Sequence, residues 1–171
     1  PQSQMWLLAS VLCLPHVYGE SAPVSQSNEA EIKALIQKGD LALQTMTEAN
    51  CKQAIADYEA ALKLDPDSYE ANWKTSRAYC LILDLKTAGI IEEKEEYKPL
   101  LKDLGGKAEA YAEKAHSINP KGIDALTWYN SSYGYHASSL GILQAILKGA
   151  GGKLKKLANE LIEADDAYGD A

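Results

Sequence analysis

The stretch ALKLDPDSYEANW, residues 61–73, closes one helical pattern on a proline and opens another on a tryptophan, and a near copy of it returns further along the chain. Ala54, Ala61, Asp65 and Pro66 reappear 54 residues later as Ala108, Ala115, Asn119 and Pro120. Trp73 follows Pro66 by seven residues and Trp128 follows Pro120 by eight, with Tyr79 and Tyr133 further along the same helices. A third copy is fainter. There Gly151-Gly152-Lys153 echoes Gly105-Gly106-Lys107, each lysine lying 13 residues before a helix stop, Pro120 in one case and Asp166 in the other. Each part has a physical reason: proline cannot continue a helix, alanine lets antiparallel helices approach closely, and an aromatic on the next helix fills the space that small residues leave. Units of this kind must stack, because one copy cannot bury its apolar face alone.

From Ala30 onward apolar residues recur at helical spacing, as in Ala54, Tyr58, Ala61 and Leu62 and again in Ala108, Tyr111, Ala112 and Ala115. No stretch alternates as a strand does. The pattern predicts helices over 30–46, 50–64, 69–87, 91–103, 106–118, 123–147 and 153–165. The segment 123–147 is about 40 Å long if unbroken, and Gly134 and Gly141 favour a bend in it. The expected fold is all-α, a right-handed stack of antiparallel helical hairpins (an α-solenoid) with elongated helices and a concave face.

Small alanines, a proline stop, then Trp and Tyr on the next helix together resemble the tetratricopeptide repeat (TPR). The resemblance covers residues 30–171, with a period longer than the usual 34 or so residues. The excess falls inside the hairpins, as in DLKTAGIIEEKEEYKPLLKDLGG. The segments EANWKTSRAY, AEAYAEKAHSINP, ALTWYNSSYGYHASSLGILQAIL and ELIEADDAYGDA are similar to elongated TPR-like proteins of the regulator-of-microtubule-dynamics type and to the periplasmic T-component proteins associated with TRAP transporters. Those families carry long inserted helices, a Trp-rich helix after an NP stop and a final DP-x-Y-G turn. Here that turn is Asp165-Asp166-Ala167-Tyr168-Gly169, without the proline. The resemblance implies a binding or scaffold protein, or a transporter accessory, rather than an enzyme.

Met5 to Pro15, MWLLASVLCLP, is a short apolar block, followed by Val17-Tyr18-Gly19 with small or tolerated residues where a signal peptidase reads. The expectation is an export signal over 1–19, a flexible lead-in over 20–29 and the helical domain over 30–171, giving a periplasmic or secreted protein. A buried N-terminal helix is the other reading, since no lysine or arginine precedes the block. Leu12 is too large for a lipidation site at Cys13. No run of 18 apolar residues is present, so no stable membrane span is expected. An apolar content of 46% is enough for a core, and a net charge of −7 argues against a nucleic-acid partner.

The glycine pairs in KGAGGKL and LGGKAEA lack the spacing and the Ser or Thr of a phosphate loop and read as hairpin turns. His16, His116 and His136 share no ligand spacing, so no metal, cofactor or catalytic centre is expected. Glu92-Glu93-Lys94-Glu95-Glu96 reads as a solvated helix start rather than an acidic docking patch. Asn130-Ser131-Ser132 matches a glycosylation acceptor but falls inside a predicted helix, and it is discounted. Cys51 and Cys80 lie about equally far from the turn at Pro66, so a disulfide between them is feasible in an exported chain; two buried thiols are the alternative.

Arg77 is the only arginine in the chain, and it shares a helix with Trp73, Ser76 and Tyr79. It either clamps a carboxylate or phosphate bidentately or forms an internal ion pair with Glu59 or Asp57. The helix TWYNSSYGYHASSLG carries two stripes, Trp128, Ser132 and Tyr135 on one and Tyr129, Tyr133 and His136 on its neighbour. One must pack inside, and the other is placed to line the concave face. Ten tyrosines and no phenylalanine suit a wet groove. The candidate ligand residues are therefore Trp73, Arg77, Tyr129, Tyr133 and His136. The leading expectation is an exported, non-enzymatic TPR-type binding or scaffold protein that takes a peptide or partner protein in its groove, with an oligomer also compatible. The rivals are a periplasmic accessory of a transporter, handling a small organic acid at Arg77, and an enzyme, which its residues support least.

Overall fold

The computed structural model describes residues 26–88 and 94–169, and every regular element among them is helical. In chain order these are α1 (Gln26–Ala42), α2 (Glu48–Leu64), α3 (Tyr69–Thr87), a 3-10 turn (Glu95–Tyr97), α4 (Lys98–Leu100), a π-helical turn (Leu101–Gly105), α5 (Gly106–Ile118), α6 (Ile123–Ser138), α7 (Ile142–Leu147) and α8 (Ala150–Gly169). Each long helix packs on its successor: α1 on α2, α2 on α3, α3 on α5, α5 on α6 and α6 on α8. Helix α3 also packs on α6, one hairpin further on. The expected export signal lies outside the described residues, and α1 begins at Gln26, inside the expected lead-in.

The duplicated stop is a duplicated structure. The Asp65 amide donates to Ala61 O at 3.0 Å, and the Asn119 amide donates to Ala115 O at 3.0 Å. Both cap side chains then turn back on the chain, Asp65 Oδ1 accepting from the Asp67 amide and Asn119 Oδ1 from the Lys121 amide. An Asx residue before proline closes a turn in this way because its carboxyl or carboxamide mimics a backbone acceptor. Ser68 caps α3 by accepting from the Ala71 amide at 3.3 Å, and Thr47 caps α2 through the Asn50 amide at 3.2 Å.

Gly122 stands at the same position before α6 and has no side chain with which to cap it. The acceptor comes instead from the start of α3, where the Tyr69 hydroxyl receives the Ala125 amide at 3.2 Å. A Cβ on residue 122 would collide with the Tyr69 ring, so glycine here makes room for the donated cap.

Ala54, Ala61, Ala71, Ala78, Ala108, Ala112, Ala115 and Ala125 are all fully buried. Ile32, Ile36, Ile55, Tyr58 and Ile82 join the first of them in a cluster beneath α1, α2 and α3. A second cluster unites Cys80 and Leu83 of α3 with Leu101, Ala108 and Tyr135, and a third unites Ala112, Leu126, Tyr129 and Leu157. Helix α3 serves two clusters from two faces: Ala71, Ala78 and Ile82 look toward α1 and α2, while Cys80 and Leu83 look toward α5 and α6.

Several boundaries differ from expectation. Helix α1 ends at Ala42 rather than residue 46, because the chain turns there into the Thr47 cap. The expected helix 91–103 is, among its described residues, a run of single turns of three types. The expected helix 123–147 breaks after Ser138, where Gly141 adopts φ 75°, a left-handed value that glycine takes without strain. Helix α8 continues through Asp166 to Gly169.

The glycine pairs are helical rather than turns. Gly141 and Gly149 make the turns, and Gly105 serves a close approach instead, since a Cβ there would stand 2.9 Å from the His136 backbone nitrogen. Gly105→Ala is expected to lower stability by roughly 1–3 kcal/mol through overpacking. Gly134→Ala, with nothing within 4 Å of the new methyl, should raise it by about 0.5–1 kcal/mol by removing glycine's excess unfolded freedom. Urea unfolding of the two variants reads these opposite signs. Tyr69→Phe should lose about 1 kcal/mol, the worth of an N-terminal cap, in the same measurement.

Candidate functional site

Five tyrosines donate their hydroxyls to carboxylates on neighbouring helices. Tyr58, fully buried on α2, donates its hydroxyl to Asp40 of α1 at 2.8 Å. Tyr79 of α3 and Tyr111 of α5 stack with ring centroids 6.1 Å apart, and both donate to Glu59 of α2, at 3.3 and 3.0 Å. Tyr129 of α6 donates to Glu113 of α5 at 2.7 Å, and Tyr135 of α6 donates to Asp84 of α3. Burial, and next the carboxylates they face, raise the hydroxyls of Tyr58, Tyr111 and Tyr135 well above the ordinary phenol range. The same causes push Tyr79 up to about 12.

The acids proposed as partners of Arg77 are therefore engaged elsewhere. Glu59 serves two tyrosines, and Asp57, itself buried, is held by Lys38 at 2.6 Å and Gln53 at 3.1 Å. Among the described residues Arg77 has no carboxylate within ion-pair distance. Its guanidinium carbon lies 5.9 Å from the centre of the Trp128 ring, near the range in which an aromatic face attracts a cation.

Arg77 also lines an open groove of about 390 Å³ between α1 and α3, with Asp40, Leu43, Gln44, Glu70, Trp73 and Lys74. Within it Lys74 holds Asp40 at 2.5 Å and Glu70 at 2.7 Å. The groove's two acids thus share Lys74, and neither is paired with Arg77. Trp73, one turn before Arg77, supplies a half-buried aromatic wall. Asp40, Gln44 and Lys74 were missed in the sequence because nothing in their spacing marks α1 and α3 as the two walls of one groove.

The other expected ligand residues lie elsewhere. Tyr129 is buried in the third cluster and Tyr133 packs against that cluster. Lys153 of α8 sits over both rings, 4.8 Å from the Tyr129 centroid and 4.3 Å from that of Tyr133. His136 Nδ1 is 2.6 Å from Glu109 Oε2, and the other oxygen of Glu109 is 2.9 Å from Lys153 Nζ. Burial opposes the charge on Lys153, but hydrogen bonds to Tyr129 and Glu109 outweigh it and hold the ammonium above the usual lysine range. Tyr129, Tyr133 and His136 join α5, α6 and α8, so the structure groups Trp73 with Arg77 and leaves these three with Lys153. The opposite stripe is packed as well, with Ser132 and Tyr135 buried and Trp128 against the second cluster.

Cys51 and Cys80 are buried free thiols rather than a disulfide. Equal distance from the turn was a poor guide, because Cys80 faces α5 and α6 while Cys51 faces the first cluster. Burial raises the Cys51 thiol, and burial with Asp84 nearby pushes Cys80 up to about 12.

The chain matches no protein-family model and no curated protein.

Two measurements follow from these groups. In a Cys13→Ala background, neither Cys51 nor Cys80 should react with an aromatic disulfide reagent at mildly alkaline pH until the protein unfolds, when both should; a denatured chain without free thiols would indicate a bridge. The raised tyrosines bind their protons more tightly folded than unfolded. Their contribution is full below about pH 10, the unfolded tyrosine value, and is lost as pH rises through the folded values. Tyrosinate absorbance should therefore rise together with loss of helical circular dichroism above that pH.

Proposed function

We propose that this protein is an exported, non-enzymatic TPR-like scaffold whose groove between α1 and α3 binds an extended peptide segment of a partner protein. Support for the repeat reading comes from the matched turns at Pro66 and Pro120, the fully buried alanines and the packing of α3 on α6 past the intervening α5. In such a stack α1, α3 and α6 form one layer and α2, α5 and α8 the other. Arg77 then faces Trp128 on the next member of its layer, and Trp73 lines the same groove one turn earlier on its own helix.

The observation that carries the binding reading is Arg77, the sole arginine, lining an open groove without an acidic partner among the described residues. A planar guanidinium beside the Trp128 ring presents donors in the fork that fits a carboxylate or a pair of carbonyl oxygens. A peptide offers both, through an acidic side chain or its C-terminus. The groove's openness favours a peptide over the rival ligand, a small organic acid carried by a transporter accessory, which calls for an enclosed site.

The test is a peptide array bearing acidic side chains and free C-terminal carboxylates, with the best binders measured by calorimetry against the parent chain and Arg77→Ala. Arg77→Ala should keep stability within about 0.5 kcal/mol, as a residue without an ion pair would. It should weaken peptide binding about tenfold or more. Unchanged peptide affinity would reject the assignment, and binding only of free small acids would move the protein to the carrier reading.

A further inference from the structure

We propose that α7 and the start of α8 form a docking surface for an anionic lipid bilayer, which holds this protein peripherally on a membrane face. Helix α7 turns Leu143, Ile146 and Leu147 outward, and they are 71%, 67% and 78% exposed. The three stand at i, i+3 and i+4, so they make one apolar face rather than scattered contacts. No described helix is long and apolar enough to cross a membrane. A short helix with an exposed apolar face can instead lie at the interface, provided that basic residues flank it.

The charge pattern supplies that condition. Between Asp124 and Glu160 the sequence has no acidic residue and four lysines, in a chain whose net charge is −7. Lys153 is used internally against Glu109, and Lys156 lies 3.6 Å from Glu160. Lys148, directly after Leu147, and Lys155, in the second turn of α8, are exposed, and neither has an ion pair among the described residues. At the other end of α7, Lys98 approaches Gly141 while paired with Glu95.

Screening at physiological ionic strength acts over about 8 Å, so these two exposed lysines are felt by a nearby surface despite the acidic whole. Anionic headgroups complement the lysines, and the acyl boundary takes the three apolar side chains. A second copy of the chain is a poorer occupant. Three side chains on a helix about 9 Å long fall well short of the roughly 800 Å² each partner gives to a stable interface, and like-charged lysines would face each other across a two-fold axis.

The experiment is co-sedimentation of the full chain with phosphatidylcholine vesicles, with and without phosphatidylglycerol. The parent should bind the phosphatidylglycerol vesicles and be released by added salt. The triple variant Leu143→Ser, Ile146→Ser, Leu147→Ser should bind at least about tenfold more weakly. The pair Lys148→Glu, Lys155→Glu should lose its preference for the anionic vesicles. Both variants should keep the parent's unfolding midpoint, since these side chains are exposed. The apolar block at residues 5–15 is common to all three proteins and does not distinguish them. Equal binding by parent and variants overturns the proposal, as does equal binding to both vesicle types. A concentration-dependent dimer abolished by the serine variant would overturn it in favour of a second copy.

Discussion

Hydrogen bonds from tyrosine hydroxyls to carboxylates on neighbouring helices hold this structure in register. Fully buried alanines let the helices come close, but their smooth surfaces offer little to stop one helix sliding on the next. A directed bond does. Tyr58 to Asp40 fixes α2 on α1, Tyr79 and Tyr111 to Glu59 fix α3 and α5 on α2, and Tyr129 and Tyr135 fix α6 on α5 and α3. In a low-dielectric setting such bonds are strong when made and costly when broken. At these five positions phenylalanine would fill the same space and leave the carboxylate without its donor.

The same bonds determine what remains for a partner. Once Asp40, Asp57 and Glu59 are committed, the lone arginine lines the α1–α3 groove with its donors unspent. The open side of Arg77 is a by-product of how the acids are shared out. The groove and the apolar face of α7 are built from separate elements, so the two proposed contacts, peptide and bilayer, do not compete for the same residues.

Much of the fold was legible in the sequence. The Asp-Pro and Asn-Pro stops are local chemistry, and both turns form as their spacing implied. The alanine positions reported close packing because nothing larger fits there. What stayed illegible depends on three-dimensional neighbours. The Tyr129, Tyr133 and His136 stripe looked suited to a groove, but α8 comes back over it with Lys153, a contact made by residues far apart in sequence. Gly105 and Gly106 looked like turn residues, and only the approach of the His136 backbone explains why a helical turn needs a glycine. Cys51 and Cys80 were matched by distance from a turn, whereas the face each occupies on its helix decided the outcome.

Glu59 belongs to the tyrosines and not to Arg77. Double-mutant cycles by urea unfolding separate the two, using Glu59→Gln with Tyr111→Phe and Glu59→Gln with Arg77→Met. The structure predicts a coupling of about 1 kcal/mol or more in the first cycle and none beyond about 0.3 kcal/mol in the second. Strong coupling to Arg77 with none to Tyr111 would mean that the arginine is a structural ion pair and that the groove has lost its anchor.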